Sequence, residues 1–245
     1  MAAARETQML VAESREGQEV AVPVASVRGA SDGPTLLVVA GVHGSEYVGI
    51  EATRRLFQRV DAGSLRGRSL TVPCFGLPAF YGLQAHTSPV DGIDPGRAFP
   101  GDPNGPYTER AADLVGKNLA HDADAVIDVH GGDLEEELVE YSQITLSGDP
   151  GVDAAGEALA RSLAFPLFVR APRPTSPQTS MSLFVAAAAA GIPGVLAEAG
   201  SHGVLDLELA ETNHQALRNA LVHLGMIDGA PAQVAEPQLL HRFEG

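Results

Sequence analysis

His43 and Glu46 stand three residues apart in Gly41-Val-His-Gly-Ser-Glu46, and His130 closes the run Ala-Val-Ile-Asp-Val-His, with Asp128 two residues before it. Two imidazoles and a carboxylate form a usual three-ligand set for catalytic zinc. Such a set leaves one coordination position for water and lowers that water's pKa to about 7. A His-x-x-Glu pair in a loop lets both side chains converge on one ion, and the third ligand must then come from a distant strand end. Asp128 is placed to orient a ligand imidazole. The spacing alone is weak, because most His-x-x-Glu pairs are surface coincidences. Gly41, Gly44 and the Gly131-Gly132 pair strengthen it, since backbone approaches closely at such positions. Without a metal, His130 reads as a hydrogen-bonded histidine at a strand end and Asp128 as a buried, hydrogen-bonded carboxylate.

Glu198 ends the otherwise apolar run Gly194-Val-Leu-Ala-Glu198. A carboxylate there costs free energy unless it has a partner or a task. Near a metal-bound water it would act as general base and then general acid. The competing reading is a salt-bridged or backbone-capping glutamate.

These residues need elements to hold them. Residues 35–40 form a continuous apolar run, the pattern of a strand buried on both faces in a parallel sheet. After it Val48, Ala52, Leu56 and Val60 recur at helical spacing, so strand gives way to helix across the first two candidate ligands. Further strands are predicted at 69–75, 125–129, 141–146 and 194–197. Residues 19–27 also alternate like a strand, with Pro23 suggesting an edge. Helices are predicted from a Thr108 cap to about 119, over 152–163, from a Ser180 cap to 190, and over 207–224 with Gly225 closing the last. The Gly- and Pro-rich stretch 76–107 reads as a long loop, of the kind that is either functional or disordered. Alternating strands and helices predict one α/β domain with a mixed, mostly parallel central sheet flanked by helices. Its functional residues should gather at the carboxyl ends of the strands.

Composition narrows the function. With 16 Lys+Arg against 31 Asp+Glu, the formal charge is −15, and Lys117 is the one lysine. Such a surface repels phosphate backbones and anionic headgroups, which disfavours nucleic-acid and membrane-surface partners. The single cysteine, Cys74, excludes an internal disulfide and fits a reducing compartment. The amino terminus lacks the apolar stretch of a signal peptide. The longest uncharged apolar run, 183–197, is shorter than the roughly 18–20 residues of a membrane span and is broken by Gly191 and Pro193. The expected location is cytoplasmic.

Taken together, Gly41-x-His-Gly-x-Glu46, Ser88-Pro-Val-Asp-Gly92, Arg97-Ala-Phe-Pro-Gly-Asp102, Asp128-x-His-Gly-Gly132 and Glu198-x-Gly200 resemble the succinylglutamate desuccinylase/aspartoacylase family of zinc hydrolases. The resemblance runs from residue 38 to about 229 and implies the zinc-carboxypeptidase-like fold. It implies one Zn2+ per chain on His43, Glu46 and His130, Glu198 as the catalytic carboxylate, and Arg97 as the anchor of a substrate carboxylate. A guanidinium in a Gly/Pro-rich loop suits that clamp, against the plainer reading of a surface salt bridge.

Three features depart from the family pattern. Where the family carries asparagine amides before its arginine, this chain has Asp94-Pro-Gly-Arg97, which places Asp94 among the substrate-binding candidates. Where a second arginine is expected to polarise the scissile carbonyl, His86 stands, either as an oxyanion donor or as a plain loop histidine. After residue 229 about sixteen residues remain, too few for the C-terminal β domain of longer relatives. Residues 1–245 therefore read as one zinc-hydrolase catalytic domain, either naturally minimal, or with its entrance shaped by a partner subunit of a homo-oligomer, or a shortened piece of a longer chain. The acidic stretch 133–140 reads as a solvated face or as a receiver for a substrate ammonium.

The resulting expectation is a zinc amidohydrolase that deacylates an N-acylated amino acid or related small amide. The alternatives are a metallocarboxypeptidase acting on short peptides and a non-catalytic metal-binding homologue with an altered substrate loop.

Overall fold

Residues 35–40 do become a strand buried on both faces, and the rest of the molecule is arranged around it. The computed structural model describes residues 3–15, 17–173, 181–230 and 238–241. Among them the strands are β1 (Ala4–Arg15), β2 (Gln18–Arg28), β3 (Ser31–Ala40), β4 (Arg66–Val72), β5 (Ala125–His130), β6 (Tyr141–Thr145), β7 (Leu167–Ala171), β8 (Gly194–Glu198) and β9 (Gln238–His241). They form one nine-stranded sheet in the order β1-β2-β4-β3-β5-β8-β6-β7-β9. The central strands β4, β3, β5 and β8 run parallel, while β1/β2, β2/β4 and β6/β8 pair antiparallel. The sheet is mixed and mostly parallel, as the alternation of elements predicts.

Helices cover both faces. Leu36, Val38 and Ala40 of β3 pack on one side with α1 (Tyr47–Arg59), α4 (Pro150–Ser162) and α6 (Leu207–His223). Leu37 and Val39 pack on the other with α3 (Tyr107–Val115) and α5 (Leu183–Ala189). All five of these β3 side chains are fully buried. Each buried Leu or Val contributes roughly 1.5–3 kcal/mol, so the strand that leads into the His43 turn is among the best anchored in the molecule.

Several local expectations change. Pro23 lies opposite Met9 of β1, so β2 is not the outermost strand; Pro23 falls in the part of β2 that β4 does not reach, since β4 pairs only with Ala25–Arg28. The 12-residue β1 escapes pattern reading because much of it is exposed and weakly alternating. The guanidinium of Arg5 fastens it by donating to the carbonyls of Phe57 and Val60 at the end of α1. The stretch 76–107 is not wholly loop: it contains α2 (Leu77–Gly82) and a short 3-10 turn at Pro95–Arg97. Thr108 does not cap α3. It sits inside the first turn, and its hydroxyl and amide both donate to Asp91. Ser180 lies outside the described residues, and the cap position of α5 is Ser182. Asp149 and Asp206 cap α4 and α6 through pairs of backbone amides. Among the described residues no helix is long and apolar enough to cross a membrane.

Candidate active site

The turn after β3 delivers two ligand candidates at once. Gly41 adopts φ +58°, the left-handed region open to glycine, which turns the chain out of the sheet. Gly44 lies so close to α2 that a Cβ would sit 2.5 Å from backbone atoms of Ala79 and Phe80. His43 and Glu46 are thereby held over the carboxyl end of the sheet, with Glu46 just ahead of α1. His130, the last residue of β5, meets them there. Among the described residues, His43, Glu46 and His130 form a buried group whose ligand atoms lie within 4.8 Å of one another.

The contacts fix which nitrogens face inward. His43 Nδ1 lies 2.6 Å from Glu46 Oε1, and His130 Nδ1 lies 3.3 Å from both Glu46 oxygens. The outer nitrogens have carboxylates of their own. His43 Nε2 donates to Asp94 Oδ1 at 3.0 Å, and His130 Nε2 is 3.2 Å from Asp128 Oδ1. Asp128 is 1% exposed, and its Oδ2 accepts the Phe184 amide at the start of α5. Each imidazole therefore turns Nδ1 to the centre. Asp94 accepts from Nε2 of His43, the arrangement that fixes tautomer and ring orientation at a metal site, while His130 Nε2 stands within ion-pair distance of Asp128 Oδ1 without a hydrogen bond. Glu46 Oε2 is buried without a hydrogen-bond partner, an arrangement that is costly unless the oxygen has a cation to bind. The donor set of two nitrogens and a carboxylate fits zinc-like ions.

Electrostatics agree with a site built for positive charge. Burial lowers the pKa of His43, but the Asp94 and Glu46 carboxylates outweigh it and hold the imidazole at about 9. Burial likewise opposes the charge on His130, and Glu46 and Asp128 raise it well above the usual range. Burial would raise Glu46, yet His130 and His43 bring it down to about 2. Since the folded pKa of His43 exceeds its ordinary 6.5, the metal-free protein gains stability from it below pH 6.5 and loses that gain as pH rises through about 9. Metal uptake has to displace these protons. Titrating Zn2+ into metal-free protein near pH 7 is expected to release about two protons per ion. Calorimetry in buffers of different ionisation enthalpy reads that release, and identical heats in every buffer would contradict it.

Glu198 ends β8 and is the direct lateral partner of His130 on β5 and of Tyr141 on β6. Burial pushes its carboxyl up; His130 pulls it down while Glu46 and Asp128 add to the rise, leaving it at about 7. A carboxyl half-protonated near neutrality, beside a group of metal-ligand type, suits proton transfer in both directions.

The loop candidates arrive with altered parts. Asp94, expected on the substrate, stands behind His43: its Oδ1 accepts from His43 Nε2 and from the Gly96 amide at 2.8 Å. Its pKa is lowered, burial being outweighed by the His43 hydrogen bond and charge. His86 stacks flat on His43, with centroids 4.5 Å apart and planes 17° apart, and is 59% exposed. Both of its nitrogens already face carboxylates, Asp94 Oδ2 at 3.4 Å and Asp133 Oδ2 at 3.6 Å. Arg97 is 70% exposed, with Nε 4.0 Å from Asp94 Oδ2. One participant, Ser45, is not singled out by the sequence. Ser45 donates to Asp133 at 2.7 Å, tying the His43 turn to the segment after His130. Asp133 opens the acidic stretch that follows His130-Gly-Gly.

A family model, the Succinylglutamate desuccinylase/Aspartoacylase catalytic domain, matches residues 32–224. The chain belongs to the succinylglutamate desuccinylase/aspartoacylase family. Among relatives of this family, it is 32% identical over 228 residues to the N-alpha-acetyl-L-2,4-diaminobutyric acid deacetylase of Halomonas elongata, a match covering 90% of this chain and 63% of that protein. The product-bound structure of the ectoine utilization protein EutE (DoeB) from Ruegeria pomeroyi superposes with a TM-score of 0.86 at 28% identity, covering 98% of this chain and 73% of that one. A metallo-carboxypeptidase from Burkholderia cenocepacia shares the fold, with a TM-score of 0.66 at 15% identity over 90% of this chain and 65% of that one.

Proposed function

We propose that this protein is a zinc-dependent deacylase that hydrolyses the amide bond of an N-acylated amino acid. The observation carrying this reading is the buried convergence of His43, Glu46 and His130 with Glu198 on the neighbouring strand end. These three residues would hold the metal through two Nδ1 atoms and a carboxylate. When bound, the ion supplies a water of lowered pKa and a Lewis acid for the carbonyl oxygen. Glu198 takes the proton of the attacking water and gives it to the leaving amine. Asp94 and Asp128 keep the two imidazoles in the ligating tautomer. Arg97 anchors the substrate carboxylate. His86 stands close enough to His43 to add a hydrogen bond to the developing oxyanion after leaving its carboxylate partners.

The substrate class follows from the mouth of the site and from the relative's activity. Asp94 and Asp133 flank His86 at a partly open rim, so a substrate with a second, cationic amine meets complementary charge. An Nα-acylated diamino acid fits this best, in line with the diaminobutyrate deacetylase to which the chain is similar. The decisive assay compares zinc-loaded protein on Nα-acetyl-2,4-diaminobutyrate, on the isosteric N-acetyl amino acid lacking the second amine, and on short peptides. At least about a tenfold preference in kcat/KM for the diamino substrate is expected, the worth of one charge-assisted contact. Faster peptide cleavage would replace this reading with the carboxypeptidase one. Bound zinc with no hydrolysis across the panel would leave a binding protein.

The pH profile supplies a second check. One divalent ion replacing two imidazolium protons keeps two positive charges among the same carboxylates, so the formal charge that faces Glu198 is the same with and without metal. The value of kcat/KM should then rise with pH through about 7 as Glu198 ionises. A profile flat from pH 6 to 8 would remove Glu198 from the base role.

A further inference from the structure

At the far end of β3 from the His43 turn the sheet carries an electrostatic anomaly. Arg28 of β2 and Arg68 of β4 are direct cross-strand partners, and Thr35 of β3 is the partner of Arg68 on the other side. Side chains paired in this way share one face of the sheet. Two residues further along, Leu70 and Leu37 of that same face belong to the core, so the arginine row stands where the apolar surface ends. Like charges directly opposite each other in a sheet are destabilising. Among the described residues neither guanidinium has a carboxylate in ion-pair contact, although acidic residues outnumber basic ones nearly two to one. Arg54, Arg55, Arg59, Arg66 and Arg161 are all paired. The Nε of Arg68 is moreover buried with no hydrogen-bond partner.

The two arginines line a cleft of ≈ 420 Å³ together with Ser31, Asp32 and Thr35. Its floor is backbone packed on backbone. Gly29 donates to the Gly67 carbonyl at 2.8 Å, and a Cβ at either glycine would lie 2.0 Å from a backbone oxygen. The cleft is therefore a fixed shape. Two guanidinium charges against the single carboxylate of exposed Asp32 leave it net positive in a strongly acidic protein. Asp124 is not part of the cleft lining; it precedes β5, on the side of β3 away from β4, and its carboxylate accepts the Thr35 amide at 2.7 Å.

We infer that this cleft binds a small oxyanion, the carboxylate or phosphoryl group of a free metabolite, at a site separate from the candidate active site. Two guanidinium forks match the paired oxygens of such groups, and the Ser31 and Thr35 hydroxyls add donors. The bound anion removes the repulsion between Arg28 and Arg68.

The test uses the full, metal-loaded chain at constant ionic strength, with chloride as the balancing ion. Inorganic phosphate and acetate are titrated separately while the amide resonances of Gly33 and Gly67 and the melting temperature are followed. Saturable shifts and a rise in Tm are expected with at least one of them. Phosphate alone assigns a phosphoryl ligand; acetate alone assigns a carboxylate. Arg28→Gln should raise Kd at least about tenfold. It should melt higher than the parent in chloride, where the repulsion is relieved, and lose most of the Tm gain from the anion. Its hydrolytic activity should be unchanged. Arg28 is partly exposed, so this variant remains informative even where Arg68→Gln fails to fold. Absence of saturable change with either anion, or an undiminished affinity in Arg28→Gln, overturns the inference.

Discussion

Glu198→Gln is expected to load metal like the parent protein and to lose about 10²- to 10⁴-fold in kcat, the usual worth of a positioned acid–base group. The substitution keeps the volume and hydrogen-bonding reach of the side chain and removes its ability to accept a proton. Glu198 is not among the three ligand candidates, so zinc stoichiometry should remain near one per chain. Stability should hold or rise slightly, because burial disfavours the ionised carboxylate and the amide carries no charge. Metal content by mass spectrometry, paired with turnover of the acetylated diamino acid, reads both halves. A variant that kept its metal and its turnover would exclude Glu198 from the chemistry.

Glu46→Gln is expected to fail differently, by losing the metal itself. Glu46 supplies the only carboxylate of the three-residue group, and its charge is a main cause of the raised pKa of both histidines. An amide in its place is a weak ligand and leaves two imidazoles facing each other across a buried site. Bound zinc should fall below detection at micromolar protein, with turnover lost in parallel. Breaking a buried ion pair typically costs 3–5 kcal/mol. The loss here should fall toward or below the low end of that range at neutral pH, because His43 and His130 can shed their protons once Glu46 no longer holds them. The histidine resonances give a direct reading, as both pKa values should drop sharply. A His43 that stayed protonated to about pH 9 in the variant, with His130 still raised well above its ordinary range, would mean that Asp94 and Asp128 carry the shift unaided.

The contrast between those two variants also shows what was readable from the chain. His43, His130 and Glu198 each end or follow a continuous apolar run, and a polar group at the end of a buried strand has few bland explanations. Their convergence needed only the rule that parallel strands deliver residues to one edge. The same reasoning fails for Asp94. Its partner His43 lies 51 residues away, and nothing in Asp94-Pro-Gly-Arg97 distinguishes a carboxylate facing substrate from one facing an imidazole. β1 was invisible because an exposed strand carries no strong apolar alternation. The like-charged pair Arg28 and Arg68 was equally hidden, since strand register is fixed by tertiary pairing and not by local sequence.

The placement of Asp94 has a consequence for anyone seeking to change what this scaffold accepts. The proposed ligands and proton carrier hang from strands β3, β5 and β8, whereas Arg97, His86 and Asp133 lie in connecting segments. Transplanting loops from another member would appear to swap specificity while sparing reactivity. It would not, because the segment around residues 84–97 also carries the oxygen that locks the His43 tautomer. A graft that replaced that segment without an aspartate at position 94 would weaken metal affinity about 10- to 100-fold and lose the old selectivity with it. On the proposed reading, specificity and reactivity are inherited as a single exchangeable cassette.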